Sequence, residues 1–163
     1  MVDKPKINIL LVCMGNICRS PTAEGVLYQL IHSHGLEDSI HVDSAGTHAY
    51  HEGERPDPRA CEAAMDKGYD ISYARARKVN DKDFSHFDYI LAMDNANMSV
   101  LQLKSPMSYR DKIELFMNYH PVKKGEEVPD PYYRDSDLFE GVFEMVEETC
   151  WNLLKVMRKR HHL

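Results

Sequence analysis

Cys13 is followed six positions later by Arg19, and Arg19 by Ser20 and Pro21, in the run Val12-Cys13-Met14-Gly15-Asn16-Ile17-Cys18-Arg19-Ser20-Pro21. A cysteine and an arginine so spaced can set a thiolate nucleophile beside an anion clamp. The guanidinium is a planar, permanently charged fork that matches two phosphate oxygens. The residues between them supply N–H groups that, in a loop folded back on itself, converge and hold an anion. Gly15 is expected to give that loop its backbone freedom. Pro21 marks the first turn of a helix, whose N-terminus adds its positive end to the same centre. Such a field favours the thiolate form of Cys13, and Ser20 is placed to donate to the sulfur. The bare pair is a weak signal, because short motifs recur by chance. An inert buried thiol, the usual state of a free cysteine, does not account for the glycine, the arginine and the helix start at these offsets. Cys18, in the same loop, reads equally as a packing residue or as the partner in a Cys13–Cys18 disulfide that shields the nucleophile from irreversible oxidation.

A thiolate that attacks phosphorus must expel the ester oxygen, and an acid that protonates this oxygen makes it a better leaving group. The run Val128-Pro129-Asp130-Pro131-Tyr132-Tyr133 offers one. Its prolines restrict the backbone and hold Asp130 extended and stiff. Negative charge on a thiolate and a phosphate favours the protonated acid there. Alone, Asp-Pro is a turn signal; the phosphate loop is what gives it a catalytic reading. Tyr132 and Tyr133, with Tyr50 from the loop after the second strand, provide walls for a flat phenyl ring. That points to an aryl phosphate. The same tyrosines, if exposed, are also open to phosphorylation. His48 and His51 lie beside Tyr50 and read as surface histidines next to the pocket.

These groups need a scaffold that brings residues 13–20 and 130 together. Four short apolar runs, Ile7–Val12, Ile40–Val42, Tyr89–Met93 and Ile113–Phe116, read as buried strands. Helical patterns lie between and after them: from about Pro21 to Gly35, from Pro58 to Lys67, from Asn95 to Leu103, and from Ser136 to Arg158. In the last, Leu138, Val142, Val146, Cys150, Leu153 and Met157 recur at helical spacing. Strands alternating with helices predict an α/β fold: a parallel sheet between two helical layers. Ligands in such sheets bind beyond the carboxyl ends of the strands, which is where the Cys13 loop would sit.

Length and composition fit one domain spanning 1–163. The net charge of -6 excludes broad nucleic-acid binding, which needs a basic face; the basic end Arg158–His162 reads as a solvated helix terminus. No stretch approaches a membrane span, and Ile7–Val12 is too short for a signal-peptide core. A cytoplasmic protein without membrane insertion is expected. The four cysteines show no zinc spacing and are too few for a disulfide scaffold. The scattered histidines offer no metal site.

Taken together, the chain resembles the low-molecular-weight protein tyrosine phosphatases. The resemblance rests on Val12-Cys13 through Ser20-Pro21-Thr22-Ala23-Glu24, Ser44-Ala45-Gly46-Thr47, Pro56-Asp57-Pro58-Arg59-Ala60, Phe87-Asp88-Tyr89-Ile90, Met93-Asp94 and Asp130-Pro131-Tyr132-Tyr133. It implies a four-stranded parallel sheet with helices on both sides, and a two-step reaction through a phosphocysteine with no metal or cofactor. Cys13 would be the nucleophile, Arg19 the clamp, and Asp130 the acid that later activates water. Asn16 would hold the loop in shape with Ser44 and Ser20. Tyr50 and Tyr132 would line the ring pocket, with Met14 and Ile17 near its rim. Its partners would be tyrosine-phosphorylated proteins or peptides, a tyrosine kinase among them, with phosphate and other oxyanions as inhibitors. The family often has a histidine supporting the asparagine in the segment matching Ser72–Arg77; here that position reads as Ala74, so support for Asn16 is expected from water or Ser72. Two alternatives share the loop. An arsenate reductase would need further cysteines to relay a disulfide, and the segment 73–95 has none. A non-catalytic phosphotyrosine-binding module would be expected to lack the nucleophile, the clamp or the acid.

Overall fold

The computed structural model describes residues 6–163; residues 1–5 of the polar N-terminus lie outside that range. Four strands, β1 (Ile7–Cys13), β2 (Ile40–Gly46), β3 (Tyr89–Ala92) and β4 (Ile113–Leu115), form one sheet in the order β2-β1-β3-β4. Every neighbouring pair is parallel. β1 is apolar at nearly every position because it is central and buried on both faces. Ile9, Leu11 and Cys13 enter one hydrophobic core, and Leu10 and Val12 enter the other.

A parallel sheet has to be covered on both sides. The helices α1 (Arg19–Ser33), α2 (Pro58–Met65) and α5 (Ser136–Arg160) cover the first face, and α3 (Asp81–His86) and α4 (Asn95–Lys104) the second. The expected three-layer α/β architecture is therefore the observed one. In α5 the predicted stripe is buried from Val142 to Met157, while Leu138 is only partly covered. No helix among the described residues is long and apolar enough to cross a membrane.

Two differences from expectation bear on the site. β2 continues past Val42 to Gly46, because Asp43 and Ser44 pair with Leu10 and Leu11 of β1 despite being polar. That extension carries Ser44 to the functional end of the sheet. The helix α3 was not foreseen, since six residues are too few to show a periodicity. It forms around a reciprocal cap in which the Asn80 side chain accepts from Asp83 N–H and the Asp83 carboxylate accepts from Asn80 N–H.

The chain leaves β1 toward β2 on one side and returns with β3 on the other. The crevice beyond the carboxyl ends of β1 and β3 is thus the switch point at which ligands bind in such sheets.

Candidate active site

The loop between β1 and α1 folds onto its own first residue. The Asn16 N–H donates to Cys13 Sγ at 3.3 Å, and Ser20 Oγ lies 3.0 Å from the same sulfur. No side chain caps the start of α1, so the N–H groups of its first turn are not occupied by any side-chain acceptor. The residue in the left-handed region is Asn16, with φ 58°, and not Gly15 as expected. Asparagine is one of the few side chains that tolerates this region. Here it is also fixed by three contacts: Nδ2 donates to Ser20 Oγ at 2.7 Å and to Ser44 Oγ at 2.9 Å, and Oδ1 accepts from the Arg77 backbone N–H at 3.0 Å. Glycine serves the loop in a different way. A Cβ at Gly15 would stand 3.1 Å from the His51 ring, and one at Gly46 would stand 2.7 Å from the Met14 carbonyl oxygen. The glycines let the loop lie close against its neighbours.

Support for Asn16 also differs from expectation. Ser72 bonds Asp70 instead, and Ala74 is buried with a methyl group that can make no hydrogen bond to Asn16. The strand-like segment 76–79 runs beside the end of β2, with Gly46 paired to Lys78, and this delivers the Arg77 N–H to Asn16. The Arg77 guanidinium is itself held by Asp43 at 3.0 Å and Asp83 at 2.9 Å. Beneath Ser44 lies Glu24, which accepts the Ser44 hydroxyl at 2.5 Å. Burial pushes the Glu24 carboxyl up, and the Ser44 hydrogen bond opposes that.

Arg19 is 2% exposed. Its Nη1 donates to Asp94 Oδ2 at 2.6 Å and to the Val128 carbonyl at 3.0 Å, and its Nη2 lies 3.5 Å from Asp130 Oδ2. Burial works against the arginine's charge. The Cys13 sulfur, the Asp94 hydrogen bond and the Asp130 and Asp94 carboxylates outweigh it and hold the guanidinium cationic above its ordinary range. Asp94 follows β3 and caps α4 with its other oxygen. The Arg19 guanidinium is therefore oriented from both strands that flank the switch point. Asp130 accepts the Tyr132 N–H at 3.1 Å, a local turn that fixes its carboxylate.

A pocket of about 500 Å³ collects these groups: Cys13, Met14, Gly15, Ile17, Cys18, Arg19, Tyr50, His51, Asp130, Tyr132 and Tyr133. Asn16, Ser20 and Ser44 lie beneath it, each at most 3% exposed. Tyr132 is half-buried, while Tyr50 and Tyr133 stand largely in solvent. His48 stacks on Tyr50, and Tyr133 packs edge-on against Tyr132. His51 is more than a surface histidine. Its ring borders the pocket and its Nδ1 pairs with Glu54 at 2.8 Å. Cys18 shares the pocket, and burial, followed by the nearby Asp57 charge, pushes its thiol far up. Cys150 is fully buried in the core and Cys61 sits on α2; neither lines the pocket. A larger surface groove of about 740 Å³ along the end of α5, between His34 and Leu163, is lined by Glu148 and the basic Lys155, Arg158 and Lys159 and contains no cysteine.

Asp94, Glu24, Asp57, Arg59 and the Arg77 N–H are the supporting groups to which the sequence alone assigned no role. Four of them, Glu24, Asp57, Arg59 and Asp94, fall in the segments that carried the resemblance.

Comparison with known proteins agrees with this geometry. The family model for "Low molecular weight phosphotyrosine protein phosphatase" matches residues 8–163. The protein of that name from Schizosaccharomyces pombe is 41% identical over 91% of this chain and 96% of its own length. The one from Homo sapiens is 38% identical over 92% of this chain and 95% of its own. The crystal structure of a protein tyrosine phosphatase from Entamoeba histolytica, with Hepes in its active site, superposes with a TM-score of 0.90 at 39% identity, covering 97% of this chain and all of that one. With a cysteine, a buried arginine and an aromatic-walled pocket gathered on one parallel sheet, and with these relatives, the chain belongs to the low molecular weight phosphotyrosine protein phosphatase family and is a protein-tyrosine phosphatase, a hydrolase.

Proposed function

We propose that the chain hydrolyses phosphotyrosine through a phosphocysteine on Cys13, with Arg19 as the phosphate clamp and Asp130 as general acid and then general base. The observation that carries this reading is the convergence of three groups in one pocket: a sulfur with two hydrogen-bonding neighbours, a buried arginine, and a carboxyl 3.5 Å from that arginine.

In the first step the Cys13 thiolate attacks phosphorus and the bond to the tyrosine oxygen breaks. Asp130 gives its proton to that oxygen, and tyrosine leaves. The equatorial phosphate oxygens are held by Arg19 and the loop N–H groups, which stabilise the charge that spreads over them. In the second step Asp130 takes a proton from water, the water oxygen attacks phosphorus, and the sulfur–phosphorus bond breaks. Inorganic phosphate leaves, and thiolate and protonated Asp130 are restored. Arginine and amides balance the charge throughout, so the reaction as written requires no metal or cofactor.

Tyr50 and Tyr132 suit the phenyl ring of the substrate, so tyrosine-phosphorylated proteins and peptides are its natural class and a tyrosine kinase a partner of the exposed Tyr133. Phosphate and similar oxyanions would compete for the same loop. A reducing compartment such as the cytoplasm keeps Cys13 available. Under peroxide, Cys13 would become a sulfenic acid and the Cys18 thiol would displace water from it to give a disulfide. A peptide linked through Cys13 and Cys18 after mild oxidation supports this; a sulfinic Cys13 with no linked peptide opposes it.

The reading is tested by hydrolysis of p-nitrophenyl phosphate in EDTA, with phosphotyrosine and phosphoserine peptides alongside. Turnover confined to the aryl esters, absent in Cys13→Ser and much reduced in Asp130→Ala, supports it. A folded protein that binds phosphate without turning over these esters contradicts it.

A further inference from the structure

The segment Pro56-Asp57-Pro58-Arg59-Ala60 helps to define the family resemblance, yet the chemistry above gives it no part. Its contacts do. The Asp57 N–H donates to the Ile17 carbonyl of the phosphate loop at 2.8 Å. The Asp57 carboxylate caps α2, accepting the Arg59 N–H at 2.9 Å, and grips the Arg59 guanidinium through Nε at 3.1 Å and Nη2 at 3.0 Å. Arg59 then reaches across to the acid loop. Nη2 donates to the Tyr132 carbonyl at 2.8 Å and Nη1 to the Arg134 carbonyl at 3.0 Å. The guanidinium lies 4.4 Å from the centre of the Phe139 ring on α5, which fixes its plane.

A surface arginine beside an aspartate is ordinary and worth little. This one uses four of its five N–H donors, and two of them close contacts more than 70 residues away along the chain. Tyr132 relays the contact: its carbonyl is held by Arg59 while its N–H is held by the Asp130 carboxylate. A continuous path therefore runs from Ile17 through Asp57, Arg59 and Tyr132 to Asp130. It ties the loop that holds the phosphorus to the loop that holds the proton.

We infer that Arg59, braced by Asp57, is a positioning residue that sets Asp130 against the phosphate loop for protonation of the leaving oxygen. The inference rests on the general-acid reading of Asp130. Arg59 touches no reacting atom; it acts through the Tyr132 peptide. Proton transfer tolerates little misplacement, and a shift of about 1 Å can cost on the order of 100-fold. A lysine would keep the charge but not the fork, and could not serve both carbonyls and the aspartate together.

The test is kcat/KM for a series of aryl phosphates whose phenols range from poor to good leaving groups, measured for the wild type, Asp130→Asn, Arg59→Met, Arg59→Lys and the double variant Arg59→Met/Asp130→Asn. Asp130→Asn should show a steep dependence on leaving-group acidity where the wild type is nearly flat. Arg59→Met should steepen it too, with a loss of roughly 10- to 100-fold on phenyl phosphate and little change on dinitrophenyl phosphate, whose leaving group needs no proton. Arg59→Lys should fall between, and Arg59→Met should add nothing once Asp130 is already Asn. A loss that is uniform across leaving groups, or that persists in full beside Asp130→Asn, overturns the role of Arg59 and leaves the acid reading standing. A flat Asp130→Asn series overturns the acid reading and this inference with it. If Arg59→Met does not fold by circular dichroism, Arg59→Lys decides alone, and a wild-type slope there overturns the inference.

Discussion

Residues 13–20 close on themselves: the Cys13 sulfur is met by Asn16 and Ser20 of its own loop, and Asn16 is locked to Ser20 four residues on. Residues 128–134 are held from outside, by Arg59 on α2 and by Arg19, which donates to the Val128 carbonyl. The first loop is buried and the second is half in solvent. The contrast fits the tasks proposed for them. A phosphate-binding cradle must be rigid before the substrate arrives, since reorganising its dipoles during the reaction would cost rate. A loop carrying the acid and an aromatic wall has to admit a ring and release a product.

The contrast can be broken most severely at the sulfur. Cys13→Ser should lose turnover of p-nitrophenyl phosphate by at least roughly 10⁴-fold while still binding phosphate, because Arg19 and the loop amides remain. Initial rates and protection by phosphate in thermal melts check both halves. Asp130→Ala should lose about 10²- to 10⁴-fold on a phosphotyrosine peptide and distinctly less on p-nitrophenyl phosphate, as comparison of kcat/KM on the two substrates would show.

Asn16 sharpens the comparison, because it combines a left-handed backbone with a buried network. Asn16→Ala should lower kcat/KM about 10- to 100-fold and destabilise by about 1–3 kcal/mol, as the Arg77 N–H and the serine hydroxyls lose their partner. Asn16→Gly relieves the backbone but not the network, so urea unfolding should show partly recovered stability with activity still impaired. Full recovery of both would show that the side-chain network is dispensable.

The smallest effect lies at Glu24. Burial holds its folded carboxyl above the ordinary glutamate range, so the folded state keeps the proton more tightly than the unfolded one. Its contribution to stability is present below that ordinary range and is lost as pH rises through the raised folded value. The stability of the wild type relative to Glu24→Gln should therefore be greatest in acid and fall as pH rises from the ordinary glutamate range through the raised folded value, as measured by paired urea titrations. A difference independent of pH would contradict it.

How much of this was legible follows the same division. The run from Cys13 to Pro21 is continuous, so the cysteine, the arginine and the helix start that the structure brings together could be picked out directly. Asp130 stood out through its flanking prolines. The strands were legible as apolar runs, except where Asp43 and Ser44 extend β2 with polar residues. The misread parts depend on what folding brings together. The Arg77 N–H that supports Asn16 is a backbone group and has no residue-type signature. The left-handed position went to Asn16 because its side chain is held there, while Gly15 answers to the nearness of His51. Arg59 reaches the acid loop only once α2 and α5 are packed side by side.

The most direct test of the account is to mix Asp130→Ala with p-nitrophenyl phosphate, quench rapidly at alkaline pH and locate bound phosphate by peptide mass spectrometry. Slowing both steps through Asp130 should leave phosphate on the peptide that contains Cys13, with none there in Cys13→Ser. Phosphate on another residue, or undiminished turnover by Cys13→Ser, would contradict a phosphocysteine mechanism.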